Sequence, residues 1–492
     1  MFESAELGHK IDKDTYDAEV PRLREELLDT QFDLAQKAEF PVIILIGGVD
    51  GAGKGATVNL LNEWMDPRHI QVHAMDEPSD EERERPPMWR FWRELPPKGK
   101  VGIFFGSWYT DPIVRRVMKR SKPANLSQSI EQINHLERML TDEGALIIKL
   151  WFHLAKEVQK KRLQTLEKNP KTRWRVTDTD WERFKLYDRF RKVSEYVLRE
   201  TSTGEAPWIV VEGEDFRYRG LTVGKILLEA MRERLDNPVK PEQTAFPPLQ
   251  ASIDKLDVFD KLDLSQKLAK KVYESELEKY QGKLNLLTRH KKFHKMSAIV
   301  VFEGSDAAGK GGSIRRITGA LDARYYRIIP IAAPTEEERA QPYLWRFWRH
   351  IPRAGRVTIF DRSWYGRVLV ERIENFCSEA DWMRAYSEIN DFEEQLAANN
   401  TVLVKFWLTI SKDEQLRRFK EREKIGFKRF KITEEDWRNR EKWDEYEQAV
   451  CDMVDRTSTG IAPWTLVEAN DKNFARIKIL KTICQRIEAA MK

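Results

Sequence analysis

AIVVFEGSDAAGKGG, residues 298–312, is the stretch on which the fold turns. Its first part, Ala298–Phe302, is a short, continuous apolar run of the kind that forms a buried strand. A glycine-rich turn follows, and then a pattern that continues as a helix. Glycines let the backbone curl until several N–H groups face one anion, the helix N-terminus adds its positive dipole, and Lys310 adds a full charge. The GxxxxGK spacing in a strand–loop–helix setting is therefore a phosphate-binding signal. It assigns Gly304, Ala308, Gly309, Gly311 and Gly312 to the phosphate cradle, with Lys310 among the catalytic groups and Arg315 one turn along the helix. Where the usual pattern places a metal-binding hydroxyl, this chain has Gly311. Asp306, a carboxylate inside a phosphate loop, makes sense if a cation sits between the two, and it could also cap the helix.

A second carboxylate stands in a matching context. Val357-Thr-Ile-Phe-Asp361 is an apolar strand ending in Asp, followed by Arg362. In a phosphate-loop fold that strand end lies beside the loop, where an aspartate binds Mg²⁺ and an arginine meets phosphate oxygens. The reading makes Asp306 and Asp361 the metal ligands and groups Asp306, Lys310, Asp361 and Arg362 as the catalytic set.

Working outward, the chain repeats itself. Ser79–Tyr109 aligns with Thr335–Tyr365 without a gap, and one offset of 256 also pairs Asp50 with Asp306, Lys54 with Lys310 and TSTGEAPW (201–208) with TSTGIAPW (457–464). Such a period is far too long for a solenoid and indicates a tandem duplication. The segment 237–250, NPVKPEQTAFPPLQ, is proline-rich and reads as a linker between domains at 1–236 and 251–492. Within each copy, apolar runs (Val42–Ile46, Ala298–Phe302, Val357–Phe360, Thr401–Leu408, Trp464–Val467) alternate with helical patterns. Ser378–Asp381 and Ser411–Glu414 supply capping signals. The expected fold class is α/β, a parallel sheet wrapped by helices on both faces in each copy.

Composition agrees with a two-domain soluble protein. The chain has 492 residues, 41% hydrophobic and 34% charged, with a formal net charge of +5. That charge is too modest for a nucleic-acid coat. Three cysteines without CxxC spacing suit a reducing cytoplasm, and nothing resembles a signal peptide or a membrane span.

The blocks GSDAAGKGG (304–312), PTEEERxxxYLWRFWR (334–349), FDRSWYGR (360–367) and TSTGxAPW (457–464) resemble those of the polyphosphate kinase 2 family. The likeness covers the C-terminal half, with a degraded version across the N-terminal half. It implies two tandem kinase-like phosphate-loop domains, each with a helical lid, and Mg²⁺-dependent transfer between inorganic polyphosphate and a nucleotide. Tandem members resemble polyphosphate:AMP phosphotransferases, which make ADP. ADP phosphorylation to ATP is the alternative within the family, and an ATP-dependent nucleoside monophosphate kinase the alternative beside it. A non-catalytic polyanion-binding protein is a third reading, disfavoured because binding alone does not need two carboxylates. On the same likeness, Lys428, Arg429 and Lys431 form a cationic lid cluster for the phosphate chain.

The N-terminal copy keeps Asp50 and Lys54 but carries Phe105 and Gly106 where the other has Asp361 and Arg362, and Asn59 and Leu60 where it has Arg315 and Arg316. A phenylalanine cannot hold a metal and a glycine cannot clamp a phosphate. This half is expected to be non-catalytic, a stand-in partner in an intramolecular pseudo-dimer, with homo-oligomers open and neither nucleic acid nor membrane as partner. The pairs His69/His73 and His290/His294 lack a third ligand. Trp345, Trp348 and Trp364 read as core, and Glu434–Arg456 as one charged helix with a solvated face.

Overall fold

The computed structural model describes residues 1–238, 257–425 and 434–492. Two compact units emerge. The first comprises Met1–Pro78, Arg90–Pro241 and Thr335–Trp345, and the second Ser79–Trp89, Glu242–Pro334 and Arg346–Lys492. Each is built on one five-stranded sheet.

The first sheet contains β1 (Val42–Gly48), β2 (Ile70–Ala74), β3 (Val101–Phe105), β4 (Leu146–His153) and β5 (Trp208–Glu212). The second contains β6 (Ser297–Gly304), β7 (Tyr326–Pro330), β8 (Val357–Asp361), β9 (Thr401–Thr409) and β10 (Trp464–Glu468). All pairings are parallel. The spatial orders are β2-β3-β1-β4-β5 and β7-β8-β6-β9-β10, so the two copies share one topology. The phosphate-loop strand is central in each. The chain turns first to one side of it and later to the other, which opens a crevice beyond its C-terminal end.

The strands β1, β6 and β9 are apolar because both their faces are covered. The helices Lys13–Lys37 and Phe216–Asp236 pack together in the first unit, as do Lys270–Arg289 and Lys472–Ala490 in the second. The cores include Ile44, Ile46, Leu61 and Leu227 in one unit and Val300, Phe302, Phe406 and Leu480 in the other. Trp348 and Trp364 are fully buried.

One charged cluster lies inside each core. Lys405, in the middle of β9 and 0% exposed, donates to Glu393 Oε2 at 2.7 Å, the Thr457 carbonyl at 2.8 Å and Tyr365 Oη at 2.8 Å. Trp364 and Tyr365 donate to the other Glu393 oxygen at 3.1 and 2.6 Å. Trp464 Nε1 donates to Thr457 Oγ1 at 2.9 Å. The first unit repeats the arrangement with Lys149, Glu137, Trp108, Tyr109, Thr201 and Trp208, its ion pair again 2.7 Å long. The SWY and TSTGxAPW blocks are thus the donors and acceptors of a satisfied buried ion pair.

The expectation of a single solvated helix over 434–456 is corrected. Glu434–Glu441 and Trp443–Thr457 are separate helices, parted at Lys442, whose φ/ψ of −91°/30° leaves the helical region. The second helix buries Ala449, Val450, Met453 and Val454, an apolar face that the surrounding charges obscure.

Candidate active site

The loop 305–309 leaves β6 through Gly304, whose φ is +146°. A Cβ there would fall 2.5 Å from the Leu408 carbonyl oxygen on β9, so only glycine lets the two strands approach this closely. The loop then enters the helix Lys310–Thr318, with Gly309 at the cap. Lys310 Nζ donates to the Gly304 carbonyl at 2.6 Å, bracing the loop across its mouth. From behind, the buried Arg418 guanidinium donates to the carbonyls of Ala307 (3.0 Å), Ala308 (3.1 Å), Ala469 (2.7 Å) and Asn470 (2.8 Å). Glu414 holds that guanidinium in turn at 2.6 Å. Turned toward Arg418, the loop carbonyls are fixed by a cation.

Asp361 ends β8 opposite Phe302 on β6, so the sheet register itself delivers its carboxylate to the loop. Arg362 follows with Nη2 3.6 Å from Asp306 Oδ1 and Nη1 3.4 Å from Glu435 Oε1. Burial lowers the Arg362 pKa, but the carboxylates of Asp306, Glu303, Glu435 and Asp361 outweigh it and leave the pKa raised. Asp306 also accepts from Asn439 Nδ2 at 2.8 Å, and its backbone carbonyl from Gln415 Nε2 at 3.2 Å.

These groups face one cavity of about 550 Å³. Its walls bring together Asp306, Ala308, Gly309, Lys310, Gly311, Gly312, Arg315, Asp361 and Arg362 from the sequence reading. Gly304 contributes its carbonyl to Lys310 rather than a wall. Lys428, Arg429 and Lys431 lie outside the described residues. Arg316 turns back to the Gly312 carbonyl at 3.2 Å.

The cavity also holds cations that the sequence reading missed: Arg418, Arg422, Lys472 and Arg476. The last two lie in the first turns of the helix Lys472–Ala490, which falls outside every quoted motif although the TSTGxAPW block ends only at Trp464. The duplication carries a signal for three of them, because at the same offset the first copy has Leu166 for Arg422, Phe216 for Lys472 and Gly220 for Arg476, while Arg418 is matched by Arg162.

At the N-terminal loop the geometry differs. Lys54 Nζ donates to the Gly48 carbonyl at 2.5 Å, as Lys310 does in its copy, and burial pushes the Lys54 ammonium pKa down. Phe105, in the place of Asp361, packs against the apolar core. The buried Arg219, in the place of Ala475, lies over the loop, donating to Thr57 Oγ1 at 3.1 Å and to the Gly213 carbonyl at 2.9 Å. A Cβ built on Gly53 would fall 2.3 Å from the Arg219 guanidinium carbon, whereas one built on Gly309 meets nothing within 4 Å. One loop is open and the other is filled by the protein's own side chain.

A metal fits the open site through its donors. Asp306 and Asp361 face the same cavity, whose lining also carries Glu421 and Asp436, and Mg²⁺ sites in general use one or two carboxylates with substrate phosphates and water completing the shell. Among the described residues no cluster of three or more His, Cys, Asp or Glu is placed to hold a metal alone. Nor is any described helix long and apolar enough to cross a membrane.

Comparison with known proteins places these features in a family. The model of polyphosphate kinase 2 matches residues 10–238 and again 267–492. A polyphosphate:AMP phosphotransferase of Pseudomonas aeruginosa is 62% identical, covering 100% of this chain and 99% of that protein. One of Acinetobacter johnsonii is 38% identical over 94% of this chain and 95% of that protein. A crystallised chain from Pseudomonas aeruginosa PA01, described as a polyphosphate kinase 2, superposes with a TM-score of 0.90 at 59% identity, covering 100% of this chain and 99% of that one. The chain belongs to the polyphosphate kinase 2 family.

Proposed function

We propose that this protein transfers the terminal phosphoryl group of inorganic polyphosphate to AMP, giving ADP, and that its C-terminal copy alone performs the reaction. The observation that carries the reading is the cavity itself. It joins a phosphate loop and the carboxylates Asp306 and Asp361 to the cations Arg315, Arg422, Lys472 and Arg476, with Glu421 and Asp436 also on its wall and Arg418 bracing the loop. A polyphosphate carries about one negative charge per phosphate, and a cationic wall of this kind offers it several charge-assisted contacts in succession. The full-length relatives named polyphosphate:AMP phosphotransferase support AMP as the acceptor.

Phosphoryl transfer needs in-line placement and neutralised charge more than covalent help. Lys310 and the loop amides bear on the transferring group. Arg362, oriented by Asp306 and Glu435, is aimed at its equatorial oxygens. Arg418 keeps the loop carbonyls turned away from the phosphates. The acceptor phosphate of AMP is ionised at neutral pH, so no general base is needed. Asp306 and Asp361 would hold Mg²⁺, which would supply further charge neutralisation to the phosphates.

The test is nucleotide chromatography after incubation with polyphosphate and Mg²⁺, offering AMP or ADP, with wild type and Asp361→Asn side by side. The reading expects ADP from AMP, a loss of at least about a hundredfold in the variant, and no product under excess chelator. ATP made only from ADP, or ADP made from AMP only when ATP is the donor, would overturn it.

A further inference from the structure

Glu303 is the last residue of β6 before Gly304, only 6% exposed, and the mechanism above gives it nothing to do. Its Oε1 accepts from Ser363 Oγ at 2.8 Å. Ser363, 2% exposed, directly follows Asp361 and Arg362, and its hydroxyl also accepts from the Tyr365 amide at 3.3 Å. Between them, Arg362 holds a left-handed backbone with φ of +65°. A side-chain-bearing residue pays for that conformation, which persists only where its surroundings fix it. Two contacts do so here. The Arg362 amide donates to the Phe302 carbonyl at 3.0 Å, and Glu303 holds Ser363 on the far side.

The first copy supplies the control. Its turn is also left-handed, but the residue is Gly106, at φ +84°, which adopts the conformation without strain. Where Glu303 stands, that copy has Gly47, and the Trp151 ring lies 2.9 Å from where a Cβ would sit. Ser107, matching Ser363, is retained. A buried carboxylate is costly, and burial raises the Glu303 pKa, opposed by Lys310. It is absent from the copy whose turn needs no clamp and present in the one whose turn is strained and aims an arginine.

We infer that Glu303 is a positioning residue for the phosphoryl transfer, acting through Ser363 to hold the Asp361–Arg362 turn in its productive conformation. This rests on the activity proposed above.

The experiment compares steady-state ADP formation from polyphosphate and AMP for wild type, Glu303→Ala, Glu303→Gln, Ser363→Ala and the Glu303→Ala/Ser363→Ala double variant. Ser107→Ala serves as the control in the other copy, and each protein's Tm is measured. Each alanine variant should lower kcat roughly tenfold with KM for AMP changed less than about twofold, and the double variant should be no worse than the weaker single. Glu303→Gln keeps an acceptor for Ser363 and should retain at least about half of kcat, and Ser107→Ala should match wild type. Wild-type kcat in Glu303→Ala, or losses that multiply in the double variant, would overturn the inference. If Glu303→Ala does not fold, Ser363→Ala and Glu303→Gln decide, since unchanged kcat in the first or a full loss in the second contradicts the clamp. An inactive wild type would instead refute the proposed activity.

Discussion

Ala475 and Arg219 occupy the same position in the two copies, and one side chain separates an open loop from a filled one. Ala475 leaves the space beyond Gly309 clear, while the Arg219 guanidinium lies over Gly53. Transplanting the difference should transplant its effect. Ala475→Arg is expected to lower polyphosphate-dependent ADP formation by at least about a hundredfold, because displacement of bound substrate by even an ångström is that costly. The Tm should stay close to wild type, because the new side chain enters an existing cavity; a rate within a few-fold of wild type would show that the cavity is not the substrate's path. At this scale the sequence revealed the residues that sit beside a strand end or in a glycine-rich loop: Asp306, Lys310, Asp361 and Arg362. It hid Arg418 and Asn439, which reach the loop from helices more than a hundred residues along the chain from it, and Glu435, which pairs with Arg362 from one of those helices, where a polar residue looks like any other on a solvated face.

Among the elements, β4 and β9 each carry a lysine through the centre of the sheet, and a partner glutamate on the preceding helix neutralises it. Burial pushes the Lys405 ammonium pKa down and the Glu393 carboxyl pKa up, each opposed by the other charge. Removing one member leaves the other charged and unpaired in the core. Lys405→Met should therefore destabilise the second unit by about 3–5 kcal/mol, and Lys149→Met the first by a similar amount, read as separate shifts in thermal unfolding. Either substitution leaving Tm unchanged would show that the pair contributes little. This pair explains why the SWY and TSTGxAPW blocks survive in a copy that has Phe105 and Gly106 for Asp361 and Arg362: they hold the sheet, whereas Asp361 and Arg362 are the residues proposed to act on metal and substrate. The inner strands were legible as apolar runs. The edge strand β10 was legible too, whereas β2 and β7, at the opposite edges, were not, since they expose polar and charged residues such as Gln71 and Arg327. The break at Lys442 left no proline or glycine in the sequence to announce it.

The whole molecule is two copies of one fold with unequal equipment, and the duplication is itself the most informative feature of the sequence. Positions kept in both copies, such as Lys405/Lys149 and Trp464/Trp208, serve the core. Positions that diverge together, Asp361/Phe105, Arg362/Gly106, Arg422/Leu166, Lys472/Phe216 and Arg476/Gly220, line one cavity in the C-terminal copy. The fold class, the tandem arrangement and the family were readable from the sequence because each rests on contiguous motifs. The filled N-terminal loop was not, because a lone arginine on a helix has no sequence signature until the offset pairs it with an alanine. The central claim is that catalysis resides in the C-terminal copy, and the most direct test is the initial rate of ADP formation from polyphosphate and AMP in Lys54→Ala and Lys310→Ala. The account predicts a rate close to wild type for Lys54→Ala and a loss of at least about a hundredfold for Lys310→Ala. A comparable loss in Lys54→Ala, with its fold intact by Tm, would contradict it and place the N-terminal loop in the reaction.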